Sequence, residues 1–159
     1  MSGLPPAGGR SPWTRLAIVG IWAVAFALLE AMVVYYLRRL FALEFSAVFT
    51  KDTFHFPGDY LVYEQAREAT TMVMLVAVGL LAGRTLRQVF AYWLFAFGVW
   101  DIAYYAWLYV LLRWPSSLGT RDLLFLMPNE WWAPVWQPVL ISCGFVAVAV
   151  LLLRFTRRA

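Results

Sequence analysis

The chain has 159 residues, of which 63% are hydrophobic and 14% charged, and its mean hydropathy is +0.69. A soluble domain carries roughly 25% charged residues, so this composition excludes a water-soluble or disordered chain and indicates a membrane protein. The formal net charge of +4 comes from 13 Lys and Arg against 9 Asp and Glu. In a membrane protein the positions of these charges matter more than their sum.

Four apolar stretches predict four transmembrane helices, since each approaches the roughly 20 residues that a helix needs to cross the bilayer. The predicted fold is all-α, an integral membrane four-helix bundle that forms a single domain over residues 16–154. Residues 1–15 are rich in Pro, Gly and Ser and predict a flexible cytoplasmic tail, and residues 155–159 predict a short basic one. The predicted spans are about 16–37, 61–83, 89–112 and 135–153.

The loop between the third and fourth spans contains a short apolar stretch from Leu123 to Met127. Thr120 precedes this stretch and can cap a helix, and Pro128 follows it and can end one. This pattern predicts a short interfacial helix that lies along the membrane surface.

The arginines predict the orientation of the bundle. Four spans place both termini and the turn between spans two and three on one side, where seven arginines and no acidic residue occur. Because basic residues near span ends face the cytoplasm, both termini are expected to be cytoplasmic in a bacterial inner membrane. The seven arginines are Arg10, Arg15, Arg84, Arg87, Arg154, Arg157 and Arg158.

Each span carries one polar side chain at a similar depth. Counted from the arginine at the inner boundary of its own helix, each lies roughly 21 to 25 Å into the membrane, at about 1.5 Å per residue. In a hydrocarbon core about 30 Å thick, this layer lies in the outer half. The four residues are Glu30, Glu68, Asp101 and Gln137.

Further polar and aromatic residues surround this layer: Glu64, Arg67, Trp100, Tyr104 and Tyr105. Glu64 and Glu68 share one face of the second helix, and the tyrosines follow Asp101 by three and four residues. Carboxylates inside the bilayer are costly and mark functional sites by default. Protonation, pairing with Arg67 or a bound cation would each compensate their charge.

A carboxylate-rich site made of Glu30, Glu64, Glu68 and Asp101 would suit a divalent metal such as Mn, Fe, Mg or Ca. His55 can add one nitrogen ligand if its loop folds inward. It is the one histidine of the chain, which argues against haem held by two histidines. The one lysine, Lys51, lies in a loop, which argues against a buried retinal Schiff base.

The leading functional hypothesis is a site that binds a cation, a metal or a cationic ligand, with Arg67, Trp100, Tyr104, Tyr105 and Gln137 as ligand-contacting residues. Three alternatives stay open: a proton-coupled small transporter, an enzyme acting on a hydrophobic substrate, and an accessory subunit whose polar layer is structural. The expected partners are the lipid bilayer and either further copies of the chain or a larger membrane complex, and no nucleic acid.

Two short segments carry a resemblance to known proteins. The stretch 98–105, Gly-Val-Trp-Asp-Ile-Ala-Tyr-Tyr, and the stretch 124–128, Leu-Phe-Leu-Met-Pro, resemble a group of small uncharacterised bacterial four-helix integral membrane proteins. That resemblance implies the topology and a bacterial source. The Trp-Asp pair also resembles the small membrane carotenoid cyclases, but their Pro-x-Glu-Glu pattern is replaced here by Pro128-Asn129-Glu130-Trp131.

Overall fold

The computed structural model describes residues 11–40 and 59–155. Each of its four helices is long and apolar enough to cross a membrane, which confirms a multi-pass four-helix bundle. A β-hairpin connects the last two helices. In chain order the elements are α1 (Pro12–Leu40), α2 (Tyr60–Ala82), α3 (Leu86–Leu112), β1 (Arg121–Phe125), β2 (Trp131–Pro134) and α4 (Trp136–Phe155).

The first helix begins before the predicted span. The backbone N–H of Thr14 donates to Oγ of Ser11 at 3.1 Å, and Pro12 occupies the first helical position. A serine cap followed by proline is a strong helix start. The serine oxygen accepts from a backbone N–H of the first turn, and proline has no N–H there to leave unpaired. The predicted tail over 1–15 is therefore too long, since Pro12–Arg15 belong to α1. Residues 1–10 and 156–159 lie outside the described residues.

The helices run alternately up and down. Arg15 donates from Nη1 to the carbonyl of Ala82 at 3.0 Å, and the hydroxyl of Tyr92 donates to the carbonyl of Pro12 at 3.1 Å. Leu153, near the end of α4, packs in the same apolar core. The start of α1, the end of α2, the start of α3 and the end of α4 therefore meet at one end of the bundle, here the termini end. The opposite end is the hairpin end.

Helix α3 packs against all three other helices. Its contact with α4 is close at Gly98, where an added Cβ would lie 2.6 Å from the carbonyl oxygen of Ser142. Small residues at a crossing let helix backbones approach closely inside a membrane. Gly144 on α4, by contrast, meets nothing within 4 Å.

The predicted interfacial helix is wrong, because β1 and β2 form an antiparallel hairpin in its place. Asp122 pairs with Ala133 and Leu123 with Trp132, and the register shifts between Leu123 and Phe125. An apolar run of about five residues fits a strand as well as a helix, and its pairing with a second strand decides between the two. The hairpin lies across one end of the bundle and forms a wall of the cavity described next.

Candidate functional site

A cavity of about 160 Å³ lies between the helices and the hairpin. The predicted site residues line it together, with two exceptions, so side chains predicted at matched depth also face one another. An engineered apolar cavity of about 150 Å³ binds benzene, so a small molecule fits this volume. The predicted residues in the lining are Glu30, Glu64, Arg67, Glu68, Trp100, Asp101, Tyr104 and Tyr105.

Arg67 holds two of the predicted carboxylates. Its Nε lies 2.8 Å from Oε2 of Glu64, and its Nη1 pairs with Oε2 of Glu30 on α1. The hydroxyl of Thr71 donates to the other oxygen of Glu30 at 3.1 Å. Both glutamates are buried, so the guanidinium compensates charges that are largely removed from water.

Glu68 fastens the hairpin to α2. Its Oε2 accepts from the backbone N–H of Leu126 at 2.8 Å, and its Oε1 accepts from the backbone N–H of Met127 at 3.2 Å. These two N–H groups belong to the segment between β1 and β2, where the other strand does not engage them. We refer to this pair of contacts as the Glu68 latch.

Asp101 joins α3 to α4. The hydroxyl of Ser142 donates to its Oδ2 at 2.8 Å, and both residues are buried. Ser142 was not among the predicted site residues, because a single serine in an apolar helix gives no signal on its own. Its position about 12 residues before Arg154 shows only its depth.

Asp122 and Arg38 also line the cavity, and sequence reasoning missed both. Asp122 accepts from the hydroxyl of Tyr105 at 3.0 Å. Burial raises the pKa of Asp122 from 3.8 to about 7, against the lowering effect of this hydrogen bond, the Leu123 backbone and Arg38. Arg38 is buried, with its guanidinium 4.7 Å from the ring centre of Trp114. A signal existed for Arg38, which lies two helical turns beyond Glu30 on α1.

Two predicted residues do not join the site. Gln137 is half-buried and does not line the cavity, and Pro138, the next residue along α4, faces it instead. Each step along a helix turns the side chain by about 100°, so a correct depth can come with a wrong direction. His55 lies outside the described residues.

Aromatic rings form one wall of the cavity. The ring of Trp100 stacks on Tyr104 at 6.3 Å between centroids and on Phe26 at 6.5 Å. Within residues 11–40 and 59–155, the buried indole N–H of Trp100 has no hydrogen-bond acceptor. Trp107 lies seven residues further along α3. Its indole N–H donates to the carbonyl of Val24 at 3.1 Å, which joins α3 to α1.

The carboxyl groups of the cavity are not arranged as a metal centre. In the part of the chain that the structure describes, no three His, Cys, Asp or Glu side chains lie close enough together to hold a metal ion. Glu30 and Glu64 pair with Arg67, Glu68 accepts from the hairpin, and Asp101 accepts from Ser142. The geometry therefore gives no support to the predicted divalent metal.

No protein-family model, curated protein or solved structure matches this chain. Function is therefore inferred from the chemistry of the cavity. Five carboxyl groups line it beside two guanidinium groups, together with the aromatic wall. The carboxyl groups are Glu30, Glu64, Glu68, Asp101 and Asp122, and the guanidinium groups are Arg38 and Arg67.

Proposed function

We propose that this membrane protein binds a small organic cation, such as a methylated ammonium group, in the cavity at the hairpin end. The observation that carries the proposal is the excess of carboxyl groups over guanidinium groups in one cavity inside a membrane-spanning bundle. Uncompensated negative charge is costly in such a place, and a bound cation would lower that cost.

The partners of each carboxyl group favour a particular position for the ligand. Arg67 already pairs with Glu30 and Glu64, and Glu68 is engaged by two backbone N–H groups. Asp101 accepts from the neutral hydroxyl of Ser142, and Asp122 accepts from the hydroxyl of Tyr105 and from the Leu123 backbone, with Arg38 acting on it through its charge. These hydrogen-bond donors are neutral, so they offset less negative charge than the guanidinium of Arg67 does at Glu30 and Glu64. A cation between these two aspartates would gain the most from the site.

The aromatic wall favours an organic cation over a bare metal ion. Trp100 and Tyr104 line the same cavity as the two aspartates, and aromatic rings attract ammonium groups when the site excludes water. Quaternary ammonium ligands are commonly recognised by aromatic rings in this way. The cavity volume of about 160 Å³ suits a head of this size.

The protonation of Asp122 would be linked to binding. Its pKa of about 7 means that a proton and the ligand compete for the same carboxylate near neutral pH. Ligand affinity is therefore expected to rise from pH 6 to pH 8 and then to level off, with a proton released on binding at the lower pH. This behaviour would also serve a proton-coupled transporter.

The test is calorimetric titration of the protein in mild detergent with tetramethylammonium, and with tert-butanol as a neutral molecule of similar shape. Binding of the cation alone is expected. Asp101→Asn and Asp122→Asn should each weaken it by about tenfold, because each removes one charge pair near low dielectric. Asp59→Asn removes an exposed carboxylate outside the cavity and should leave the affinity unchanged. Equal binding of the neutral molecule, or equal loss in all three variants, would contradict the proposal.

A second candidate is an enzyme that acts on a hydrophobic substrate. It is favoured by Asp122, because a carboxyl group with a pKa of about 7 can be protonated at neutral pH and act as a general acid beside aromatic walls. Mass spectrometry of organic extracts from the purified protein tests this candidate. A lipid-like molecule that is retained by the wild type and lost in Trp100→Ala would support it.

We propose that the protein lies in the bacterial inner membrane with both termini in the cytoplasm. The support is electrostatic, since Arg15, Arg84, Arg87 and Arg154 lie at the termini end of the bundle. The cavity would then open toward the outer half of the bilayer.

A further inference from the structure

A second concave surface lies at the termini end, far from the acidic cavity. It is a groove of about 470 Å³ between α1 and α2, two helices that touch each other only sparsely. Its floor and sides are apolar, and two arginines stand at its end. The groove is lined by Ile18, Val19, Trp22, Val78, Leu81 and Ala82, with Arg15 and Arg84.

The two arginines differ in how firmly they are held. Arg15 is half-buried, and its Nη1 donates to the carbonyl of Ala82 at 3.0 Å, which fixes the guanidinium at the rim of the groove. Arg84 is exposed in the turn between α2 and α3, and its backbone N–H donates to Oε1 of Gln88 at 3.0 Å. Both arginines line the groove, so each brings a positive charge to the termini end of its apolar surface.

We propose that this groove binds one anionic phospholipid, with an acyl chain along α1 and α2 and the phosphate between Arg15 and Arg84. Charge complementarity selects this occupant, because guanidinium groups bind phosphate with paired hydrogen bonds. Basic pockets between transmembrane helices at the membrane boundary recognise anionic headgroups in the same way.

The apolar part of the groove completes the match. Leu81 is 87% exposed and Ile18 44% exposed, so large apolar side chains face outward directly below the two charges. A phospholipid has the same arrangement, with a charged headgroup above an apolar acyl chain. This site is independent of the acidic cavity and of the function proposed for it.

The test is native mass spectrometry of the protein in mild detergent, titrated separately with phosphatidylglycerol and phosphatidylcholine. One bound phosphatidylglycerol is expected, held more tightly than phosphatidylcholine. Arg84→Gln should weaken phosphatidylglycerol binding by about fivefold, the effect typical of one arginine near an anionic headgroup, and leave phosphatidylcholine unchanged.

Arg87→Gln is the matched control, because Arg87 is exposed, lies one helical turn away and does not line the groove. It should leave both affinities unchanged. Ile18→Trp should weaken both lipids by filling the apolar part. Unfolding temperatures of all variants check that the bundle is intact, and the exposed position of Arg84 makes its loss harmless to folding.

Three results would overturn the proposal. Equal losses in Arg84→Gln and Arg87→Gln would indicate general attraction to the basic end of the bundle. Equal affinity for the two lipids would remove the role of the charges. Displacement of phosphatidylglycerol by millimolar inorganic phosphate would show a site for free phosphate that does not need the acyl chain.

Discussion

Arg67 is the residue on which two buried carboxylates depend. It bridges Glu64 within α2 and Glu30 on α1, and few other contacts join these two helices. Removing one partner of a buried ion pair costs more than the pair contributes, because the remaining charge stays buried without compensation. The effect is moderated here, since 31% of the Arg67 side chain is exposed.

We expect Arg67→Met to lower the free energy of unfolding by about 2 kcal/mol. Adding Glu30→Gln to this variant should restore part of the loss, since it removes the uncompensated charge. The measurement is a double-mutant cycle of thermal unfolding in detergent. Additive losses in the double variant would contradict the ion-pair interpretation.

Asp122 predicts the pH dependence of stability. Its pKa is raised by burial to about 7 in the folded protein, compared with about 3.8 in an unfolded chain. Between these values the folded state binds more protons than the unfolded state, so this residue's contribution makes stability fall as pH rises from 4 to 7 and level off above. Arg38, Tyr105 and Asp101 are the groups that act on it.

Asp122→Asn should remove this contribution and flatten the stability profile between pH 4 and pH 7. Unfolding free energies measured across that range in detergent check the prediction. Asp59→Asn is the control, because Asp59 is exposed and its removal should leave the wild-type slope. An unchanged slope in Asp122→Asn would show that Asp122 does not titrate in this range.

At the scale of elements, the contact between α3 and α4 holds Asp101 beside Ser142. Gly98 allows this contact, since an added Cβ would lie 2.6 Å from the carbonyl oxygen of Ser142 and 2.9 Å from Cγ2 of Val146. The backbone of α4 would have to move to make room. The pairing of the two helices and the shape of the cavity therefore depend on the same residue.

We expect Gly98→Ala to lower the free energy of unfolding by about 1 to 3 kcal/mol, the usual cost of overpacking. Gly144→Ala is the matched control on the facing helix, because an added Cβ there meets nothing within 4 Å. This control should be neutral or slightly stabilising, since alanine favours a helix more than glycine does. Thermal unfolding of the two variants in the same detergent makes the comparison.

The elements also show which parts of the structure the sequence could predict. Long apolar stretches predicted four helices, because about 20 apolar residues have few other outcomes. Residue counting along each helix predicted that Glu30, Glu68, Asp101 and Gln137 share a depth, and the structure brings the three carboxylates of this set to one cavity. Counting gives height and not direction, which explains the error at Gln137.

The hairpin escaped prediction for a different reason. Whether a short apolar segment forms a strand depends on the strand it pairs with. Here the partner is β2, and the spacing of residues in β1 does not predict that pairing. Asp122 was missed along with it, although it contributes the fifth carboxyl group of the cavity. The part of the site built by local sequence was therefore predictable, and the part built by pairing between strands was not.

At the scale of the whole molecule, the alternation of the helices places the start of α1 and the end of α4 at one end of the bundle. Thr85 is exposed at that end, and Ser117 is exposed at the hairpin end. The native Cys143 can be replaced by serine so that single cysteines report each side. The positive-inside distribution of arginines predicts that the two sides differ in their access from outside the cell.

In intact cells, we expect a membrane-impermeant maleimide to label the Ser117→Cys variant and not the Thr85→Cys variant, both in the Cys143→Ser background. Permeabilised cells should show labelling of both, which controls for reactivity. The reverse pattern in intact cells would place the termini outside, and the acidic cavity would then face the cytoplasmic half of the bilayer.

The Glu68 latch has a consequence for how the protein tolerates mutation. Because the carboxylate grips the backbone N–H groups of Leu126 and Met127, their side chains do not take part in these hydrogen bonds. In a saturation library, position 127 should accept most residues except proline, which has no N–H to donate. Position 68 should accept few, since its substitutes must reach two amides with one side chain. This contact between helix and hairpin thus depends on the side chain at position 68, while the side chain at position 127 is free to vary.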